Sequence, residues 1–473
     1  MTVFGKSVAK DSALLAASKG VTVVLGVIKL AIIARFLSPD GVGAFYLSMA
    51  TVLFLSDLVM PQFGEAASRF VAEKKHTNRE ETARIISATV FAIFVFSIVL
   101  FAISRFFLGK LIVSFYQKEN TLCYFNIFAI AIVLNPLNNV LLDHLKILTK
   151  FGYISAGNIA RSAVDIMLLG LFFYIGFRVE GAIYAFVLAL AVQLIICLFG
   201  IRKYLRLTSI KDLVNVDNDL LKFWYPICGS ALIKAGAARM KTIIGGHFLS
   251  LTNLGYFEIA SRAALTIFSI FRQYILVVHS YLMNAYYRNR DNFILLLNQS
   301  IKKYSLVIFP AAGLMIIFST YFFVLMYGEN YRFSATIFSI LIFSEIFSSF
   351  AAFSKTIFYV KNKPIFYFWF HAVYFLIQLI LVLILTPLFG AVGLAVSMVL
   401  ASLSLMLTGY FLSTRLKVVI KKAHFTIPFV LILCLLSSFY LLKMKGMINI
   451  FVAGFFFLLT MSFYIIRELR KVP

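Results

Sequence analysis

Charge is scarce in this sequence: Asp, Glu, Lys and Arg together make up 13% of 473 residues, and only 19 of them are acidic. With 62% hydrophobic residues, so little charge cannot cover the surface of a water-soluble globular protein of this length. Cysteine is scarcer still. Cys123, Cys197, Cys228 and Cys434 fall singly in or beside apolar runs, with no C-x-x-C spacing, which excludes a zinc ribbon or dithiol centre. The histidines, His76, His144, His247, His279, His371 and His424, show no H-E-x-x-H or other ligand spacing, so neither a metal nor a cofactor is expected. A phosphate loop is lacking too: "FGKS" at 4–7 is without the first glycine that motif needs, and ATP hydrolysis is unsupported. Long hydrophilic stretches are absent, so no soluble domain of the usual 50 residues or more is expected. The net charge of +25 comes from short clusters between apolar runs rather than from a basic arm, which argues against nucleic acid.

What is present is a succession of apolar runs. A helix needs roughly 20 mostly apolar residues to cross the hydrocarbon layer. That rule predicts crossings near 12–36, 42–68, 85–108, 121–145, 153–177 and 180–201, then 222–248, 254–283, 303–326, 333–358, 365–386 and 389–413, and finally 425–442 and 447–466. This arrangement of about 14 crossings places 28 of the 44 Lys and Arg on one side of the membrane and seven on the other, with nine inside the runs. The positive-inside rule makes the richer side cytoplasmic, with both termini there.

The stretch "IIARFLSPDGVGAFYLSMA" (32–50) returns as "IIGGHFLSLTNLGYFEIA" (243–260). The offset that carries Lys29 onto Lys241 also carries Phe36, Leu37 and Ser38 onto Phe248, Leu249 and Ser250, and Gly43 onto Gly255. A similar offset brings "EGAIYAF" (180–186) onto "FGAVGLA" (389–395). The expected organisation is therefore an all-α polytopic membrane protein with two parallel six-helix lobes, a recurring transporter plan. The expected boundaries are 1–203 for the first lobe, 204–221 for a cytoplasmic linker, 222–414 for the second lobe and 415–473 for an additional helix pair with its tail.

Charged residues inside the runs are the candidate functional groups. Lys234 and Lys241 are about 700° apart around one helix, hence on one face, and Lys19 and Lys29 differ by about 80°. An unpaired Lys facing lipid costs about 2.5–3.5 kcal/mol, so these four residues, with Arg239, are expected to meet a wet cavity or carboxylates. Glu65 and Arg69, Arg161 and Asp165, and Glu258 and Arg262 are each four residues apart and can pair along one helix. Asp57 and Glu345 have no such neighbour and are candidates for ion coupling. "VDND" (216–219) contains the Asp-x-Asp of metal-dependent sugar transfer, but is expected to cap the following helix instead.

The "ARFLSPDGVGAFYL" pattern, followed by "QFGEAASRFVAEK", resembles the polysaccharide-biosynthesis flippases of the Wzx type, which move O-antigen or capsule repeat units. Their superfamily also holds the multidrug and toxin extruders and the lipid II flippase. The resemblance covers roughly the first 410 residues, and the last helix pair matches the longer members. It implies a non-enzymatic transporter of the bacterial inner membrane. By alternating access it would move a polyprenyl-pyrophosphate-linked oligosaccharide, with Lys19, Lys29, Lys234, Arg239 and Lys241 as the expected phosphate ligands. Membrane lipids, a polysaccharide polymerase and chain-length proteins are the partners implied. A cation-coupled multidrug exporter is the alternative within the superfamily. A membrane-embedded polymerase or acyltransferase is the alternative from another class, disfavoured by the short, chemically bare outer loops.

Overall fold

In lipid every backbone N–H and C=O must be satisfied within the chain, and long helices achieve this locally. The computed structural model describes residues 3–74, 78–116, 118, 120–206, 218–288, 290–361, 364–416 and 418, and their long elements are all helices. The predicted pair at 425–466, and the middle of the predicted linker, lie outside the described residues. The first unit holds α1 (Val3–Phe36), α2 (Pro39–Asp57), α3 (Phe63–Lys74), α4 (Arg79–Ile103), α5 (Gly109–Tyr116), α6 (Asn120–Phe128), α7 (Ala131–Ile147), α8 (Phe151–Ile175), α9 (Val179–Ile201) and α10 (Asn218–Phe248). The second holds most of α11 (Leu251–Arg288), then α12 (Arg290–Ile317), α13 (Ser319–Tyr327), α14 (Arg332–Val360) and α15 (Pro364–Arg415). The units divide between Glu258 and Ile259. This division follows packing rather than repeats: α10 lies against α2 and α3 and so groups with the first unit.

Nine helices among the described residues are long and apolar enough to cross a membrane. The longest contains two crossings, because Gly390 (φ 61°, ψ −140°) takes a conformation that side chains do not tolerate and turns the chain back. The Leu385 carbonyl carbon lies 2.7 Å from where a Gly393 Cβ would sit, whereas eight residues of continuous helix would separate them by about 12 Å. The predicted crossings at 365–386 and 389–413 are this hairpin. Its counterpart in the first unit, between α8 and α9, turns at Gly176 (φ 101°), where the Phe177 N–H reaches back to the Phe172 carbonyl at 2.9 Å.

Two predicted crossings within the described residues are missing from the nine. The second is interrupted, since α2 ends at Asp57 and α3 begins at Phe63. The seventh, α10, carries Lys222, Lys234, Arg239 and Lys241. These two crossings pack against each other.

Candidate functional site

The interruption between α2 and α3 builds one side of a cavity. Pro61 offers no N–H to a helix, and Met60 (φ 42°) and Gln62 (φ 54°) both take left-handed conformations that cost non-glycine residues strain. The turn is held from outside by Trp224 of α10, whose indole N–H donates to the Pro61 carbonyl at 2.8 Å while its ring meets Phe63 edge-on. Gly64 then lets α3 approach α7: a Cβ there would sit 2.9 Å from a Val140 methyl. The cavity is open on one side and holds about 440 Å³, within the range of small-ligand sites. Its wall includes residues 56, 57 and 59–65, with Asn139, Asp143 and Lys146 of α7 and Lys234 of α10.

Three carboxylates and two ammonium groups share this wall, and much of that charge is paired. Asp57 accepts from the Arg239 Nε at 3.4 Å, and Asp143 from Lys146 at 2.9 Å. Asp57, a residue without a partner in its own helix, thus finds one on α10. Glu65 is exposed on the cavity wall, and Arg69 reaches Glu73 at 3.8 Å.

A second polar cluster lies inside the first unit, where α1, α8 and α9 meet. The Lys29 ammonium sits 2.5 Å from an Asp165 carboxylate oxygen, with side chains 20% and 9% exposed. Arg161 donates instead to Gln193 at 3.1 Å, and the Gln193 amide donates to Asn158 at 2.8 Å. Both cations lie over the Phe186 ring, at 5.3 Å and 5.4 Å from its centre. The same-helix proximity of Arg161 and Asp165 is therefore not the hydrogen bond that forms.

In the second unit Glu345, buried on α14, accepts from Arg272 at 2.8 Å. Thr242 donates to Glu258 at 2.5 Å, Lys241 is half-buried beside it in sequence, and Arg262 lies in the second unit's part of α11. Lys19 is exposed on α1. Among the described residues no three His, Cys, Asp or Glu gather as a metal site.

The repeated hairpins meet each other within the first unit. A Cβ on Gly43 would overlap the Leu251 carbonyl, and one on Gly255 would overlap the Pro39 carbonyl. Under the repeat, Gly43 corresponds to Gly255 and Pro39 to Leu251, so the two contacts exchange. Such reciprocity is the mark of a local two-fold axis, and chance likeness between apolar segments would not produce it.

The family of polysaccharide biosynthesis proteins matches residues 32–336, from the end of α1 into α14. The chain belongs to that family. No curated protein matches it. Among solved structures it is similar to a lipid II flippase MurJ in an inward closed conformation, at 17% identity and TM-score 0.78, covering 98% of this chain and 99% of that one. It is also similar to an inward-facing multidrug resistance MATE family transporter, at 14% identity and TM-score 0.69, covering 84% and 94%. A superfamily transporter from Pyrococcus furiosus, described as having a binding pocket of reverse polarity, gives 15% identity and TM-score 0.58 over 87% and 95%. This family member thus has the all-helical fold shared by the MurJ and MATE structures, and none of these relatives is named as an enzyme.

Sequence reasoning expected a wet cavity without locating it, and did not single out Lys118, whose ammonium donates to the Gly246 and Leu249 carbonyls. The cavity's place follows from a helix break whose one sequence signal is Pro61. Lys118 lies between α5 and α6, where a lone loop lysine carries no signal of what it touches.

Proposed function

We propose that this polysaccharide biosynthesis protein is a flippase that carries a polyprenyl-pyrophosphate-linked oligosaccharide repeat unit, such as that of an O-antigen or capsule, across the bacterial inner membrane. The observation that carries this reading is the state of its membrane carboxylates. Asp57 meets Arg239, Asp165 meets Lys29 and Glu345 meets Arg272, each across two helices. A multidrug exporter recognising cationic drugs needs carboxylates open to its cargo; here those three are already matched by tethered cations. An anionic diphosphate suits a chain in which basic groups outnumber acidic ones, because phosphate oxygens form strong charge-assisted hydrogen bonds with ammonium and guanidinium groups.

In this mechanism the cavity receives the polar head, and the diphosphate exchanges with the present partners of Lys234 and Lys146 on the cavity wall, with the Asn139 amide donating to neighbouring oxygens. The other basic residues expected from the sequence, Lys19, Lys29, Arg239 and Lys241, are not part of this wall, and Lys29 and Arg239 are engaged by Asp165 and Asp57. The lipid tail stays in the bilayer while two lobes, 1–203 and 222–414, alternate access to the cytoplasmic and outer faces. End-to-end coverage by the lipid II flippase fold, where the MATE fold leaves 16% of the chain unmatched, is consistent with the longer, lipid-carrying architecture.

The test is reconstitution into vesicles with a polyprenyl-diphosphate oligosaccharide and a membrane-impermeant sugar oxidant. Protein-dependent exposure of the glycan on the far leaflet is expected. Uptake of a cationic dye by the same vesicles, without glycan movement, would assign the exporter reading instead.

A further inference from the structure

We propose that Lys118 is a latch that holds the two repeated hairpins together and closes the outer mouth between them. This rests on the transport reading, since a latch has meaning only where a mouth must open.

The contact it guards is built on glycines. Gly43 and Gly255 allow two backbones to touch through bare Cα atoms, as small residues do at close helix crossings. A Gly255 Cβ would come within 2.8 Å of the Pro39 carbonyl carbon and 3.1 Å of the Gly43 nitrogen, and a Cβ on Gly246 would overlap a Leu47 methyl. Such a surface carries no hydrogen bond of its own between side chains.

Lys118 adds a directional tie. Its ammonium donates to the Gly246 carbonyl and, at 2.7 Å, to the Leu249 carbonyl. These carbonyls lie at the C-terminal end of α10, where helix oxygens lack internal partners and the helix dipole favours a cation. Burial lowers the pKa of Lys118 and the Asp40 carboxylate of the first hairpin opposes that shift in part, while the ammonium bonds the second hairpin. His247 repeats the tie: its Nδ1 donates to the Phe115 carbonyl at 2.6 Å, and its ring stacks on Phe115 with centres 4.6 Å apart. Phe115 and Lys118 thus both tie the first repeat onto the start of the second. The predicted topology puts residues near 40, 117 and 252 together outside, the face from which cargo would leave.

The experiment places spin labels on Ser38→Cys and Ser250→Cys, both exposed equivalents under the repeat, with the native cysteines replaced. Distances between them are measured without substrate. A short distance should dominate. Lys118→Met, losing two charge-assisted contacts, should shift the population toward a longer distance by at least about tenfold, and Lys118→Arg should recover most of the short one. Gly255→Val should produce the same long distance by wedging the contact, while Gly20→Ala, with open space around it, should not. If Lys118→Met leaves the distribution unchanged in a monodisperse protein, the latch is refuted, even if glycan display is lost. If the distances shift as described but reconstituted vesicles move no glycan, the latch stands and the flippase reading falls.

Discussion

Removing Lys29 alone should destabilise the protein, and removing it together with Asp165 should not. Breaking a buried ion pair costs about 3–5 kcal/mol because it leaves a carboxylate unmatched, whereas replacing both partners with apolar groups is often neutral. The Lys29 side chain keeps 20% exposure, and Arg161 stands one turn from Asp165, so the lower end applies: about 3 kcal/mol for Lys29→Met. Lys29→Met/Asp165→Leu should return to within about 1 kcal/mol of the parent. Thermal unfolding in detergent measures both. The same variants, tested for glycan display at matched membrane levels, separate two roles for this lysine. If it only neutralises Asp165, the double variant displays normally; if its ammonium also holds the diphosphate, the double variant is stable yet deficient. A double variant as unstable as the single one would refute the pairing argument itself.

Asp57→Asn should strand Arg239, lowering stability by about 1–3 kcal/mol at this half-buried site, and Arg239→Gln in the same chain should restore most of it, read from detergent melting curves. With Asp57 and Glu345 both engaged by arginines, glycan movement in vesicles should survive collapse of the proton gradient; its abolition would reinstate these carboxylates as proton carriers. Gly390→Ala should cost about 1–3 kcal/mol, because its backbone lies where only glycine is unstrained, and a melting temperature equal to the parent's would contradict the turn described. Reporters fused after 78, 150, 290 and 362 should read cytoplasm and those after 117, 252 and 329 the outside, any inversion breaking the charge argument.

Hydropathy made the crossings legible because lipid imposes length and apolarity on each of them. It did not reveal the gap between Asp57 and Phe63, since Leu58, Val59 and Met60 keep the run apolar and Pro61 alone hints at a break. The family pattern around Arg35 to Phe45 was legible for a different reason, as a turn whose serine, proline and glycines each have a geometric task. Ser38 illustrates this, its hydroxyl accepting the Gly41 N–H at 3.3 Å to start α2. The charge pairs were not readable. Local spacing can suggest only same-helix partners, while Asp57 and Arg239 are 182 residues apart, Lys29 and Asp165 are 136 apart, and Arg272 and Glu345 are 73 apart. Which distant helices meet is a property of the packing.

The exchange of contacts between Gly43 with Leu251 and Gly255 with Pro39 carries a consequence for how this chain can change over time. In a dimer of identical half-length chains, one substitution would alter both contacts at once. In one chain each contact has its own residues, yet the two stay coupled by proximity. A bulkier residue at 43 would meet the Leu251 backbone carbonyl, which no change of side chain at 251 removes, and a Gly255 Cβ would lie 3.1 Å from the Gly43 nitrogen, so strain at one contact reaches the other. Sequences of relatives should therefore keep 43 and 255 small together, whatever stands at 39 and 251.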